Sequence, residues 1–222
     1  MEKPLETIEY KGFTIEIYQD EFNESPRDWD TLGKMVCWHS RYNLGDEQPK
    51  CDPHEYMHSV MWGEGLFYDD ILYTDEQDKK IEKKFNEVAI SLPLYLYDHS
   101  GITMNTTGFS CPWDSGQVGF IYALKRDILK EWKRKKWSKR LEKLVIDNLK
   151  NEVKTYDQYL TGDVYGFRII EPYADDNLLD SCWGYYGRDF CIQEAKSTAD
   201  YWAKERDSGE WEKSNSQTGM ED

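Results

Sequence analysis

Between Asp98 and Ser115 one stretch gathers Asp98, His99, Ser110, Cys111, Asp114 and Ser115, the side-chain types from which nucleophile, base and orienting carboxylate are drawn. A Cys/His pair can carry acyl or phosphoryl transfer, with one carboxylate orienting the imidazole. Asp98, His99, Cys111 and Asp114 are therefore the catalytic candidates. Adjacency in sequence does not create hydrogen-bond geometry. The plainer alternative is that Asp98, Ser100 and Asp114 cap turns while Cys111 and Trp113 fill the core. The stretch between Tyr97 and Phe120 also lacks Lys, Arg and Glu and shows aromatics beside small polar residues, a composition suited to a ligand or partner surface. Phe109, Trp113, Ser115 and Gln117 are the binding candidates.

A second pattern lies upstream. His54, Glu55 and His58 match HExxH, in which two imidazoles one helical turn apart bind zinc and the glutamate activates water. Zinc proteases bury that helix, whereas here Pro53 abuts the first histidine and the flanks are polar. With no third ligand evident, surface histidines are the expectation, and neither a metal nor another cofactor is expected.

The block KEWKRKKWSKR interleaves Trp132 and Trp137 with cations, as do surfaces that stack bases and neutralise phosphates. Its plainer alternative is a solvated helix face whose tryptophans turn inward and whose lysines answer acid elsewhere in the chain. Over the whole sequence, 28 Lys and Arg stand against 43 Asp and Glu, a formal charge of -15. The distribution is uneven: residues 1–124 carry -13, residues 125–154 carry +7 and residues 155–222 carry -9. The acid argues against phosphate binding by the surface as a whole. It admits another reading, imitation of nucleic acid before a basic host enzyme, with ordinary solubility as the alternative.

These residues must be positioned by a chain of 222 residues, 39% apolar but rich in Trp, Tyr and Phe, which predicts an aromatic core. Five cysteines, with no CxxC pair, and an apolar-poor N-terminus predict reduced thiols in a cytoplasm. No apolar run is long enough to span a bilayer. Alternation around Lys11-Gly12 predicts an opening β-hairpin, and KMVCWH a third strand. Asp52-Pro53 reads as the N-cap and first position of a short helix, and Ile81, Phe85 and Val88 mark the apolar stripe of a second. Strands are expected at 92–97 and 120–124, joined by an unusually long loop.

A long helix, or two joined near Ser138, is expected over 125–160, from Leu141, Leu144, Val145 and Leu149. GDVYGFRIIEP and the residues after it predict a second hairpin, and Ile192, Ala195, Ala199, Trp202 and Ala203 one face of a closing helix. The expected fold is one α+β domain over residues 1–206, with a mixed or antiparallel sheet of about six strands carrying the long and closing helices. Residues 207–222 are expected to form a flexible acidic tail.

The blocks LPLYLYDHSGIT, CPWDSGQVGFIY, YDQYLTGDVYGF and DSCWGYYG resemble an uncharacterised family of small proteins encoded by phages, prophages and integrative elements. YKGFTIEIYQDE and WDTLGKMVCWHSRYNLGD extend the resemblance over most of residues 8–190. It implies a mobile-element origin and a bacterial cytoplasm. The leading functional expectation is a noncatalytic accessory protein that binds a host macromolecule, for which a host protein is favoured over nucleic acid. Inhibition of a defence or DNA-processing enzyme, as anti-restriction and anti-CRISPR proteins do, is one form of it. The alternatives are a small hydrolase or transferase sited on 98–116 and a single-stranded nucleic-acid binder using 125–143.

Overall fold

In the computed structural model, residues 3–65, 75–171 and 177–208 are described. The expected tail therefore lies outside them, except for Asp207 and Ser208. The chain opens with strands β1 (Glu6–Tyr10) and β2 (Phe13–Gln19), followed by a single 3-10 turn at Pro26–Asp28 and strand β3 (Lys34–Cys37). Helices α1 (Pro53–Gly63) and α2 (Asp75–Val88) come next, then strands β4 (Ala89–Asp98), β5 (Ile102–Asn105) and β6 (Ser115–Leu124). Helices α3 (Lys125–Glu131) and α4 (Lys139–Thr161) precede β7 (Val164–Ile170), β8 (Leu178–Tyr186) and the closing helix α5 (Arg188–Asp207).

The fold is α+β, but it has two antiparallel four-stranded sheets among the described residues where one sheet of about six strands was expected. Their orders are β1-β2-β7-β8 and β3-β6-β4-β5. The expected 98–119 loop accounts for much of the miscount. Ile102–Asn105 is a strand paired to β4, and β6 begins at Ser115 rather than Phe120. Both pieces are polar at the positions facing water, so an apolar run does not reveal them. The two expected helices also pack on different sheets rather than sharing one.

Chain contacts divide the protein into two compact units. Unit 1 comprises residues 1–24 and 162–222, and unit 2 comprises residues 25–161. In unit 1, Lys11 and Gly12 both take positive φ, 49° and 81°, the twist a two-residue hairpin loop needs. β2 alternates so that Phe13, Ile15 and Ile17 face one way, where Phe167 and Ile169 of β7 join them. Cys191, Ala195, Ala199 and Ala203 lie one turn apart on α5 and are buried against these side chains. Small residues let the helix approach the sheet closely.

Unit 2 has three layers. The run Phe120–Leu124 is buried throughout because both faces of its sheet are covered. Ile121 and Ala123 turn toward α4, where Leu141, Val145, Leu149, Val153 and Tyr156 form the matching stripe. Phe120 and Tyr122 turn the other way, toward Tyr56 and Met61 of α1 and Ile81 and Phe85 of α2. Asp52 caps α1 as expected, accepting from the N–H groups of His54 and Glu55 at 2.9 and 3.1 Å.

The α4 layer is fastened by a buried ion cluster. Arg27, with only 5% of its side chain exposed, donates from Nε and Nη2 to the two oxygens of Asp46 at 2.8 and 2.7 Å. Its Nη1 donates to Glu152 on α4 at 3.0 Å, and Glu152 in turn accepts from Leu32 N at 2.8 Å. Burial works against the Arg27 charge, but Asp46 and Glu152 outweigh it and hold the pKa above its ordinary value. No helix among the described residues is long and apolar enough to cross a membrane.

Candidate functional site

The β4–β5 turn and the 106–114 connection meet at one end of the unit 2 sheet, beside the segment that follows β3. Together they enclose an open cleft of about 300 Å³ lined by His39, Arg41, Asp98, Trp113, Asp114 and Ser115, among others. A β-bulge makes its floor. Leu94 pairs with Gly119 but Tyr95 pairs with Gln117, so Val118 is the extra residue and is turned to line the cleft.

One wall is built by hydrogen bonds between segments. Arg41 Nη2 pairs with Asp98 Oδ2, while Tyr42 Oη donates to Asp98 Oδ1 at 3.3 Å. Asp98 N donates to Asp114 O at 2.8 Å, which closes the base of the 98–114 excursion. His39 Nδ1 accepts from the N–H groups of Arg41 and Tyr42 at 3.3 and 3.1 Å, so its proton sits on Nε2. The His39 ring stacks on Tyr42, with centroids 5.0 Å apart, and the Arg41 guanidinium lies over the same Tyr42 ring.

Three of the catalytic candidates do come together, but around a carboxylate. Cys111 Sγ lies 3.6 Å from Asp114 Oδ2 and His99 Nδ1 lies 3.4 Å from the same oxygen. The carboxylate thus stands between thiol and imidazole. Nucleophilic catalysis needs the imidazole between them, and no hydrogen bond joins Cys111 to His99 among the described residues. Asp98, the fourth candidate, is committed to Arg41 and Tyr42. The Ser115 hydroxyl donates to Cys111 O, holding the turn beneath Trp113.

Trp113 does not plug the core. It is 92% exposed at the lip of the cleft, which overturns the plainer alternative for this residue, while Cys111 is half-buried. Of the other binding candidates, Ser115 lines the cleft. Phe109 instead packs on Tyr97, with centroids 5.6 Å apart, and Gln117 borders a different cleft, with Met57, Glu82 and Pro93. His39, Arg41 and Tyr42 were missed. The signal was a cation beside an aromatic, Arg41-Tyr42 in SRYNLGD, within what reads as an ordinary loop.

The HExxH residues are placed apart from this site. His54 Nε2 lies 3.0 Å from Glu82 Oε1 and its Nδ1 lies 3.6 Å from Asp78, so the imidazole ties α1 to α2. His58 sits against Trp62, with centroids 5.9 Å apart, and the Glu55 amide serves the N-cap. Among the described residues no group of three or more His, Cys, Asp or Glu side chains is arranged to hold a metal ion. All five cysteines are free, and burial pushes the thiols of Cys37 and Cys191 up to about 12, far from the thiolate form.

In comparisons with known proteins the chain matches no family model, no curated protein and no solved structure.

Proposed function

We propose that the protein is a noncatalytic accessory protein of a phage or other mobile element, and that it binds a host protein through the cleft and its lip at Trp113. One observation carries the reading: an indole is 92% exposed on a turn pinned by hydrogen bonds, beside an Arg41–Asp98 pair. Exposing a tryptophan to water costs the free energy that burying it in a partner recovers, and Trp and Arg are the residues that dominate binding interfaces. A pinned turn loses little further entropy on docking. A defence or DNA-processing enzyme of the host is the class of partner that a mobile element has reason to bind. What weighs against the hydrolase or transferase alternative is that Asp114, and not the His99 imidazole, stands next to Cys111.

The test is affinity capture from a bacterial lysate with the wild-type chain and with Trp113→Ala in parallel. The reading expects a stoichiometric host protein on the wild type and a loss of at least about tenfold in its affinity for the variant, the usual size of a hot-spot effect. Equal retention by both chains, at equal folded content, would remove Trp113 from the interface.

A further inference from the structure

We infer that the elbow between α3 and α4 binds the phosphates of a nucleic-acid strand, at a surface separate from the Trp113 cleft. The elbow holds a cleft of about 390 Å³ lined by Arg134, Lys136, Ser138, Arg140, Leu141 and Leu144. From Lys130 to Lys143 the chain carries eight Lys and Arg against two Glu. None of the eight makes an ion pair or a side-chain hydrogen bond among the described residues, although the chain has 43 carboxylate side chains to offer. The cations just upstream behave differently. Lys125 donates to the Asn86 and Glu87 carbonyls at 2.9 and 3.0 Å, and Arg126 pairs with Glu64. The expectation that the lysines of KEWKRKKWSKR answer acid elsewhere in the chain is therefore not met among the described residues, and the one pairing with acid nearby is upstream of the block, at Arg126.

The backbone that presents these cations is fixed. α3 ends with Lys133 at φ 51°, Lys133 N donating to Lys130 O at 3.2 Å and Arg134 N to Leu129 O at 2.8 Å, a Schellman-type stop. Trp132 and Trp137 pack against the core, and Trp137 Nε1 donates to Glu142 at 3.1 Å. Ser138 then caps α4, accepting from Leu141 N at 3.2 Å. The cleft forms where the chain turns between these anchors.

The same anchors select the ligand. With both tryptophans turned inward, the elbow has no platform on which bases could stack, so it reads phosphates and not sequence. Arg134 and Arg140 bring two planar guanidinium forks to one cleft, the geometry that suits phosphate oxygens. The further lysines on both sides suit consecutive phosphates of a strand better than one free anion. An anionic membrane is disfavoured because Trp132 and Trp137, the aromatics that would anchor an interfacial segment, are half-buried against the core.

Fluorescence anisotropy with the full chain tests the site, using labelled oligo(dT) and a duplex of about 20 nucleotides. Binding of both probes is expected at low salt. For contact with about three phosphates the slope of log K against log salt is about -2 to -3. Arg134→Glu/Arg140→Glu is expected to weaken binding at least about tenfold with an unchanged circular dichroism spectrum, and Arg134→Lys/Arg140→Lys to retain most of it. Four results would overturn the site: no binding by the wild type, equal binding by the charge-reversed variant, polyglutamate competing as well as DNA at equal charge, or tighter binding to phosphatidylglycerol vesicles than to DNA. Trp113→Ala is expected to leave this binding unchanged, so the elbow and the Trp113 cleft fail or stand separately.

Discussion

Units 1 and 2 each contain a four-stranded antiparallel sheet, yet they differ in charge and in how they are held together. Unit 1 carries 8 Lys and Arg against 21 Asp and Glu, a net -13, and unit 2 carries 20 against 22, a net -2. Nearly all of the -15 therefore belongs to one unit. Excluding phosphate binding from the average is a statement about unit 1 alone, and unit 2 is free to concentrate its cations at one elbow. The cores differ as well. Unit 1 is two layers joined by small residues, whereas unit 2 is three layers with a buried guanidinium fastening α4.

The sharpest way to break unit 2 is through that guanidinium. Arg27→Ala leaves Asp46 and Glu152 facing each other without their counter-ion, and a loss of about 3–5 kcal/mol is expected in urea unfolding. A loss under about 1 kcal/mol, the size typical of a surface pair, would contradict the cluster's structural role. Among its described residues unit 1 has no such buried ion cluster, and its weak point is space. Ala199→Leu puts three extra carbons where α5 meets the sheet, with an expected cost of about 1–3 kcal/mol. Stabilisation by this variant would mean that the helix does not sit as tightly as described.

The smallest effect is in acid. Burial raises the Glu47 pKa, but hydrogen bonds from Lys34 and Tyr56 outweigh it, so the folded value lies below its ordinary 4.5. Stability from this group is then fully present above about pH 4.5 and is lost as pH falls through the folded value. Because the Glu47 side chain is 40% exposed, the contribution is at most about 1 kcal/mol after screening. Melting temperatures of Glu47→Gln and wild type should converge as the pH falls from 4.5 through the folded value. A gap that widened in acid would reverse the sign.

Periodicity exposed what was regular. The stripe Leu141, Val145 and Leu149, the Ala195 and Ala199 face and the Lys11-Gly12 turn are local patterns, and each names its element. β5 was hidden because Ile102–Asn105 has only Met104 fully buried, and its edge is satisfied from a distance, with Asp157 on α4 accepting from Thr103 Oγ1 and Met104 N at 2.6 and 2.7 Å. The Arg27 cluster was hidden for the same reason, since Arg27 and Glu152 lie 125 residues apart. At the candidate site, composition marked Trp113 and Ser115 but could not order the polar groups. Whether Asp114 or His99 stands next to Cys111 depends on how the turn closes, which the residue types do not encode. Windows cut at 124 and 154 likewise blurred a charge boundary that the fold draws at 24 and 161.

Capture of host protein by two variants of the full chain puts the comparison to its most direct test. One is Trp113→Ala, and the other neutralises exposed acid in unit 1 through Glu9→Gln, Glu21→Gln and Asp207→Asn. Recognition through unit 2 predicts that the first variant loses the captured protein and the second keeps it. Retention by Trp113→Ala together with loss by the neutralised chain would transfer the binding surface to the acidic unit and contradict the account.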